Sequence, residues 1–394
     1  MTSNITSMRD TFLPFSRPTI SEDEINEVVD SLRSGWLTTG PKVLRLEEAF
    51  AGLTEAKAAI AVTSATAGLH LVLATLDLNP GDEVITTPIT WPSTVNNIVI
   101  CGAKPVFADV DKATLQIDPV DVERRITSKT RAVIPVHFAG APCDMNALKT
   151  ICERRGVLLI EDAAHAVGTK YKDRLVGKDS EAAIFSFHVI KNMTTGEGGM
   201  IVCSDEDRAS RIRRLRFHGI SRDAWKRYSK GGSPQYEVEE PGFKYNMMDI
   251  QAAIGIHQLK RLDEFNERRS QLALNYQELL SDMPEIMPLG PVPYEHGHAW
   301  HLFVVRLGLD TLKIDRDRFI NALQEENIGT GLHFPAVHLQ KYYRERYNYQ
   351  RGMLPNAEWN SDRLFSLPLY PTLKEKDQED VKVALKRIIK RYKR

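Results

Sequence analysis

Short apolar strands interleaved with amphipathic helices predict an α/β protein built on a mainly parallel sheet covered on both faces. Length adds to this. At 394 residues the chain is too long for one ordinary core, so a second, smaller α/β domain is expected. A third observation concerns position: Ser64, Asp162 and Lys191 each follow an apolar strand. Open parallel sheets bind ligands beyond the carboxyl ends of their strands, so all three would face one crevice.

The elements follow in order. An arm over 1–20 precedes Ser21-Glu-Asp-Glu24, a capping box that opens a helix to about Leu32. Ala59–Thr63 reads as a strand and Thr66–Leu78 as a helix. Glu83–Thr87 is a strand, Ser93–Cys101 a helix and Pro105–Val110 a strand. Arg131–His137, a helix over Met145–Arg155 and the strand Val157–Asp162 continue the alternation, and Ile184–Phe187 adds a further apolar strand. A long helical pattern from Asp249 to about Leu280 bridges to the second domain. There a strand over His301–Leu307 precedes helices at Asp315–Glu326 and from about Glu375. The expected division is arm 1–20, large domain 21–260 and small domain 261–394. The charged, glycine-containing segment 221–240 reads as a mobile loop.

Composition is that of a globular protein, with 42% apolar and 26% charged residues and zero formal net charge. That balance argues against nucleic acid or an anionic membrane as the main partner. The basic run Lys386–Arg394 reads as the solvated last turns of a helix, where cations suit the C-terminus. Four scattered cysteines without C-x-x-C spacing argue against a metal site or a disulfide frame, and suggest a reducing compartment. There is no run near the roughly 18 apolar residues of a membrane span and no apolar stretch of signal-peptide type, so a cytoplasmic protein is expected.

Lys191 stands between Ile184-Phe-Ser-Phe187 and the glycine-rich Thr194-Thr-Gly-Glu-Gly-Gly199, a sequence suited to close backbone approach. Burial lowers a lysine's pKa and yields the neutral amine that imine chemistry needs. Asp162 ends Val157-Leu-Leu-Ile-Glu-Asp162; such an aspartate also serves as a helix N-cap. Together the two match what pyridoxal phosphate requires, an amine for its aldehyde and a carboxylate for its pyridine nitrogen. Thr63-Ser-Ala-Thr66 lies between a strand and a helix, where backbone amides form a natural anion site, though Ser and Thr cap ordinary helices as well. Ser186 offers another hydroxyl. Trp91 suits either stacking on a cofactor ring or burial in the core. His165 suits either a contact to the same ring or a structural role.

The segments Ser64-Ala-Thr-Ala-Gly68, Glu161-Asp-Ala-Ala-His165, Ser186-Phe-His-Val-Ile-Lys-Asn192 and Gly196-Glu-Gly-Gly199 resemble the nucleotide-sugar aminotransferase family of fold-type I pyridoxal-phosphate enzymes. Gly242-Phe-Lys-Tyr-Asn-Met-Met-Asp249, His298-Ala-Trp-His-Leu-Phe303 and Ser366-Leu-Pro-Leu-Tyr-Pro371 extend the likeness from about Phe12 to Leu385. The resemblance implies a seven-stranded, mainly parallel sheet sandwiched by helices. It also implies roles: Lys191 as the Schiff-base lysine, Asp162 as partner of the pyridine nitrogen, and His165 beside the phenolic oxygen. Ala65, Thr66 and Ser186 would cradle the phosphate, and Trp91 would stack on the ring. Asn246 would reach the phosphate of a neighbouring subunit, which implies a homodimer. Many relatives carry glycine at the position of Ala65, so the cradle here must not need positive φ. His188 and His333 are weaker candidates for sugar contacts.

The activity implied is transamination of a nucleotide-linked 4-keto sugar with L-glutamate as donor. Phe12-Leu-Pro-Phe-Ser-Arg-Pro18, Gly35-Trp-Leu-Thr-Thr-Gly-Pro41, Gly329-Thr-Gly-Leu-His-Phe334 and Gln340–Arg346 most resemble members that make UDP-4-amino-4-deoxy-L-arabinose from a UDP-4-keto pentose. That would place the enzyme in lipopolysaccharide biosynthesis, in lipid A modification. Amination of a UDP-, dTDP- or GDP-linked keto-6-deoxyhexose at carbon 4 or carbon 3 stays open. A sugar dehydratase of the same family would carry histidine in place of Lys191, and a non-catalytic regulator would not need the intact cofactor residues.

Overall fold

The computed structural model describes residues 9–178, 180–221 and 235–394. Its large sheet uses seven strands: β1 (Ala58–Val62), β2 (Glu83–Thr86), β3 (Lys104–Phe107), β4 (Thr130–Ile134), β5 (Leu158–Asp162), β8 (Ala182–Ser186) and β9 (Gly199–Cys203). Between β5 and β8 a short ribbon, β6 (Lys170–Tyr171) and β7 (Arg174–Leu175), joins β11 (His296–Gly297) in a separate small sheet. The large sheet runs in the order β1-β9-β8-β5-β4-β2-β3. From β8 to β3 the pairings are parallel, whereas β9 is antiparallel to both of its neighbours.

Alternation along the strands explains the two covered faces. Ile60, Val62, Ile184 and Ile201 point to one side, against Leu69 and Val72 of the helix Ala65–Ala74 and Ile212 of the helix Glu206–Leu215. Ala59, Ala61, Phe185 and Met200 point to the other, against Val43, Leu46 and Phe50 of the helix Pro41–Thr54 and Ile256 of Asp249–Lys260. Each fully buried aliphatic or aromatic side chain contributes about 1.5–3 kcal/mol.

The C-terminal part builds a second, antiparallel sheet, β10 (Ile286–Pro288), β12 (Phe303–Leu307) and β13 (Leu364–Leu367), in the order β10-β12-β13. Helices Leu262–Leu280, Arg316–Glu325 and Glu375–Tyr392 cover it through one continuous apolar cluster. The N-terminal arm joins this cluster. Leu13 pairs its backbone with Asn327 and Gly329, and Arg9 bridges Asp377 and Asp380 at 2.7 Å each.

Several boundaries differ from expectation for identifiable reasons. The fourth strand stops at Ile134, ahead of Pro135, rather than at His137. The expected strand over His301–Leu307 begins only at Phe303, because Trp300 adopts φ +46° and turns the chain first. The helical pattern over Asp249–Leu280 breaks at Arg261 into two helices. Gly199, the last residue of the glycine-rich stretch Thr194–Gly199, starts β9. The basic C-terminal run is helical to Tyr392 and part of it is paired, Lys386 with Asp282, Arg387 with Glu326 and Lys393 with Glu285. Of the segment 221–240, residues 222–234 lie outside the described residues. Among the described residues no helix is long and apolar enough to cross a membrane.

The entry of β9 between β1 and β8 depends on Gly199. A Cβ there would lie 2.7 Å from Ala65 N and 2.8 Å from Phe185 O, both backbone atoms that cannot move independently. Gly199→Ala is expected to destabilise the protein by about 1–3 kcal/mol. Chemical denaturation would show this as a lower midpoint at unchanged slope. An unaltered midpoint would mean that the two flanking strands can part without cost.

Candidate active site

One cleft of about 380 Å³ opens at the carboxyl ends of β1, β5 and β8, within the size range of small-molecule sites. Its floor comes from the helix Ala65–Ala74. Ser64 caps that helix, its Oγ accepting from Ala67 N at 3.1 Å, and Ser64, Ala65 and Thr66 turn the helix N-terminus toward the cavity. First-turn amides and hydroxyls at such an end hold anions well. Ala65 is not among the residues with positive φ, so alanine is compatible with this turn.

Asp162 ends β5 and is almost fully buried. Its Oδ2 accepts from Thr94 Oγ1 at 2.6 Å and its Oδ1 from Ala164 N at 3.1 Å. Thr94 is itself paired with Thr90 at 3.0 Å. Burial raises the Asp162 pKa, while Thr94, the Ala164 amide and the nearby Lys191 oppose that rise. A cationic N–H brought against this carboxylate would therefore find its charged form already supported by two donors.

Lys191 lies in the loop 187–198 that joins β8 to β9. Phe187 N donates to Gly198 O at 2.9 Å, and Thr194 Oγ1 and Thr195 N donate to Phe187 O at 3.0 Å, closing the loop. Desolvation pulls the Lys191 pKa down to about 7, with only Asp162 working against it. A buried lysine of this kind is largely a neutral amine just above neutral pH.

Histidines complete the interior. His165 is buried, its Nδ1 accepting from Ala139 N at 3.3 Å, and its ring stacks on Phe334 at 5.8 Å. Burial, Lys191 and His333 hold it well below its ordinary pKa. His333 pairs Nδ1 with Ser366 Oγ at 2.9 Å, and burial beside Lys191 lowers its pKa to about 3. His301 carries no signal of its own in the sequence, although it lies in the motif His298–Phe303; its Nε2 is 3.3 Å from Lys191 Nζ. Thr94 is equally silent, since nothing local in Pro92–Ile100 distinguishes it from an ordinary helix residue.

The rim is more open. Trp91 is 60% exposed, with its ring 5.9 Å from Phe334, so the core reading of this tryptophan does not hold. Ser186 is buried at the end of β8, and His188 lies near the mouth with Nε2 3.7 Å from Glu197. The cleft thus gathers Ser64, Ala65, Thr66, Trp91, Asp162, His165, Ser186, His188, Lys191 and His333, the residues to which the sequence points, but not Asn246. Asn246 is buried behind the end of β1, where it bridges Val62 and donates to Thr39 Oγ1 at 2.6 Å.

The donor set suits pyridoxal phosphate: an anion-binding helix end, a buried carboxylate, a low-pKa amine and an exposed aromatic face at the rim. Known structures agree. Spr1654 from Streptococcus pneumoniae, named as a candidate sugar aminotransferase, matches in its PMP-form with TM-score 0.90 and 31% identity, covering 96% of this chain and 99% of that chain. Its PLP-form matches at 0.89. Helicobacter pylori PseC, an aminotransferase involved in the biosynthesis of pseudoaminic acid, matches at 0.90 with 26% identity, covering 97% and 100%. DesV from S. venezuelae matches at 0.85 with 33% identity, covering 96% and 99%. The family model of the DegT/DnrJ/EryC1/StrS aminotransferases matches residues 18–386, and with that span and this cleft the chain belongs to that family as an aminotransferase that uses pyridoxal phosphate.

Proposed function

We propose that the protein transfers an amino group from L-glutamate to a nucleotide-linked 4-keto sugar, with UDP-4-amino-4-deoxy-L-arabinose as product. The observation that carries the reaction type is the pairing of the half-buried Lys191 with the buried Asp162 beside an anion-binding helix end. Pyridoxal phosphate, when bound, supplies an aldehyde that accepts an amino group and a pyridine ring that withdraws electrons from it. Ser64, Ala65, Thr66 and Ser186 would hold its phosphate. Asp162, oriented by Thr94 and Ala164, would keep the ring nitrogen protonated. His165 would lie on the side of the phenolic oxygen, and Trp91 would stack on the ring. Lys191, an amine that is half neutral near pH 7, is the group that would engage the aldehyde and, when free, would hold the α-proton of the donor on Nζ.

The sugar assignment rests on the segments Phe12–Pro18, Gly35–Pro41, Gly329–Phe334 and Gln340–Arg346. Placement in lipopolysaccharide biosynthesis follows from the same assignment. A second reading is amination of a UDP-, dTDP- or GDP-linked keto-6-deoxyhexose at carbon 4 or carbon 3, because the cofactor motifs do not distinguish one sugar from another. His188 and His333 are the proposed sugar contacts. Asn246, outside its own cleft but at the end of β1, is proposed to serve a partner's phosphate in a homodimer. The division into arm 1–20, cofactor domain 21–260 and small domain 261–394 belongs to this reading, as does a cytoplasmic location.

The purified protein should be yellow, and Lys191→Ala should lose or shift the visible band while keeping its circular dichroism. A colourless parent that never takes up the cofactor ends the reading. Uptake of the aldehyde by cofactor-free protein should rise about tenfold per pH unit and level off near pH 7, because only the neutral amine reacts. A rise continuing toward the ordinary lysine value of 10.5 would contradict the buried amine. Among UDP-, dTDP- and GDP-linked keto sugars assayed with glutamate, the UDP-4-keto pentose should give the highest kcat/KM. Clear preference for a dTDP-linked keto hexose would remove the arabinose assignment and leave the reaction class standing.

A further inference from the structure

The proposed reaction makes no use of the motif His298–Phe303, yet that motif brings His301 to the reacting lysine. His301 is 2% exposed, and its only side-chain hydrogen bond among the described residues is to Lys191, Nε2 to Nζ at 3.3 Å. Its Nδ1 is buried without a partner among the described residues. A buried imidazole with one partner is costly unless that partner is its purpose.

The surrounding chain is organised to hold this ring in place. Arg269, fully buried and without a carboxylate partner among the described residues, donates through Nη1 to the carbonyls of Trp300, His301 and Leu369 at 3.3, 3.3 and 3.0 Å. Asn192, the residue after Lys191, donates to Ala299 O at 2.6 Å, tying the lysine loop to the histidine loop. The turn at Ala139 and Gly140, both at positive φ, pairs with Ala299 and Leu302. At Gly140 a Cβ would lie 2.9 Å from His301 N and 3.0 Å from Trp300 N. A strained turn, a buried cation and an amide thus converge on one loop whose product is the His301–Lys191 contact.

We propose that His301 is a positioning residue that accepts a hydrogen bond from Lys191 and directs the amine toward the cleft whenever the lysine is free. This rests on Lys191 being the cofactor lysine. In the required tautomer Nε2 carries the lone pair and Nδ1 the proton. An amine that donates to Nε2 keeps its own lone pair available to the cleft. Were the imidazole to donate instead, it would occupy that lone pair.

The charges facing the pair support an uncharged imidazole. Burial, Lys191, His165, Arg269 and His333 all hold His301 far below its ordinary pKa. Around Lys191 the facing groups are Asp162, His165, His301 and His333, with Asp162 the only anion among them.

The test titrates Lys191 in full-length, cofactor-free protein, by competitive acetylation with acetic anhydride and peptide mass spectrometry. A neutral acceptor favours the ammonium, so His301→Phe should lower the Lys191 pKa by about one unit or more, as loss of a charged hydrogen bond implies. His301→Gln, which keeps an acceptor, should recover most of that shift. A pKa unchanged or raised in His301→Phe overturns the proposal. If His301→Phe does not fold, ¹⁵N spectra of the parent's histidines decide: a neutral ring with its proton on Nδ1 supports it, and a doubly protonated or Nε2-protonated ring overturns it. The visible band keeps the two readings apart. A Lys191→Ala protein that retains the parent's band removes the cofactor lysine itself, whereas loss of the band with a normal titration in His301→Phe removes only the histidine.

Discussion

The site depends first on one backbone crossing, the insertion of β9 between β1 and β8. Because β9 runs antiparallel to both, the loop feeding it must return over the carboxyl ends of its neighbours. That return carries Lys191 above the strand end where Ser64 begins the next helix. Gly199 sits where the return meets the sheet, in contact with the backbone of both Ser64–Ala65 and Phe185. The amine and the anion-binding helix end are therefore neighbours by topology rather than by side-chain reach. Asp162 is added by the parallel pairing of β5 with β8, which aligns Asp162 with Ile184.

Burial then sets the protonation states. Around Lys191, Asp162 faces His165, His301 and His333, and desolvation together with the lysine's charge lowers the pKa of each of these three imidazoles. This arrangement concentrates basic character on Lys191. Each neutral histidine is a dipole with a defined lone pair, so the interior can orient an amine without competing for its proton. Asp162 stays ready to ionise because Thr94 and Ala164 already donate to it, so it awaits a cationic partner with little reorganisation.

Legibility in the sequence follows the range of the interactions involved. The alternating strands and helices are readable because their apolar periodicity is local, and the helix Met145–Arg155 matches its expected bounds. The helix Pro41–Thr54 is absent from the sequence reading, and its capping explains why. Its first amides, Gly40, Lys42 and Val43, are received by Asp249, some two hundred residues away. The same applies within the site. Lys191 and Asp162 stand out because strand ends and a glycine-rich turn mark them. His301 and Thr94 do not, because what makes each matter is a contact across more than sixty residues of chain.

The contrast between interior and rim carries a consequence for specificity. At the base, Asp162, His165, Ser186 and His301 are buried, and Asp162, His165 and His301 are each held by a hydrogen-bond partner of their own, so on the proposed reading their geometry would serve any amino-group transfer through the same cofactor. At the mouth, Trp91, Leu332 and Glu197 are exposed. A change at the base disturbs several coupled groups and therefore the chemistry itself. A change at the rim alters what the opening accepts while leaving the amine, the carboxylate and the helix end in place. Family membership is accordingly written in the rigid interior, where motifs recur in order along the chain. On the proposed reading the choice of sugar would fall to the outer contacts, where discrimination is built from individual polar partners gained or left unpaired on the substrate.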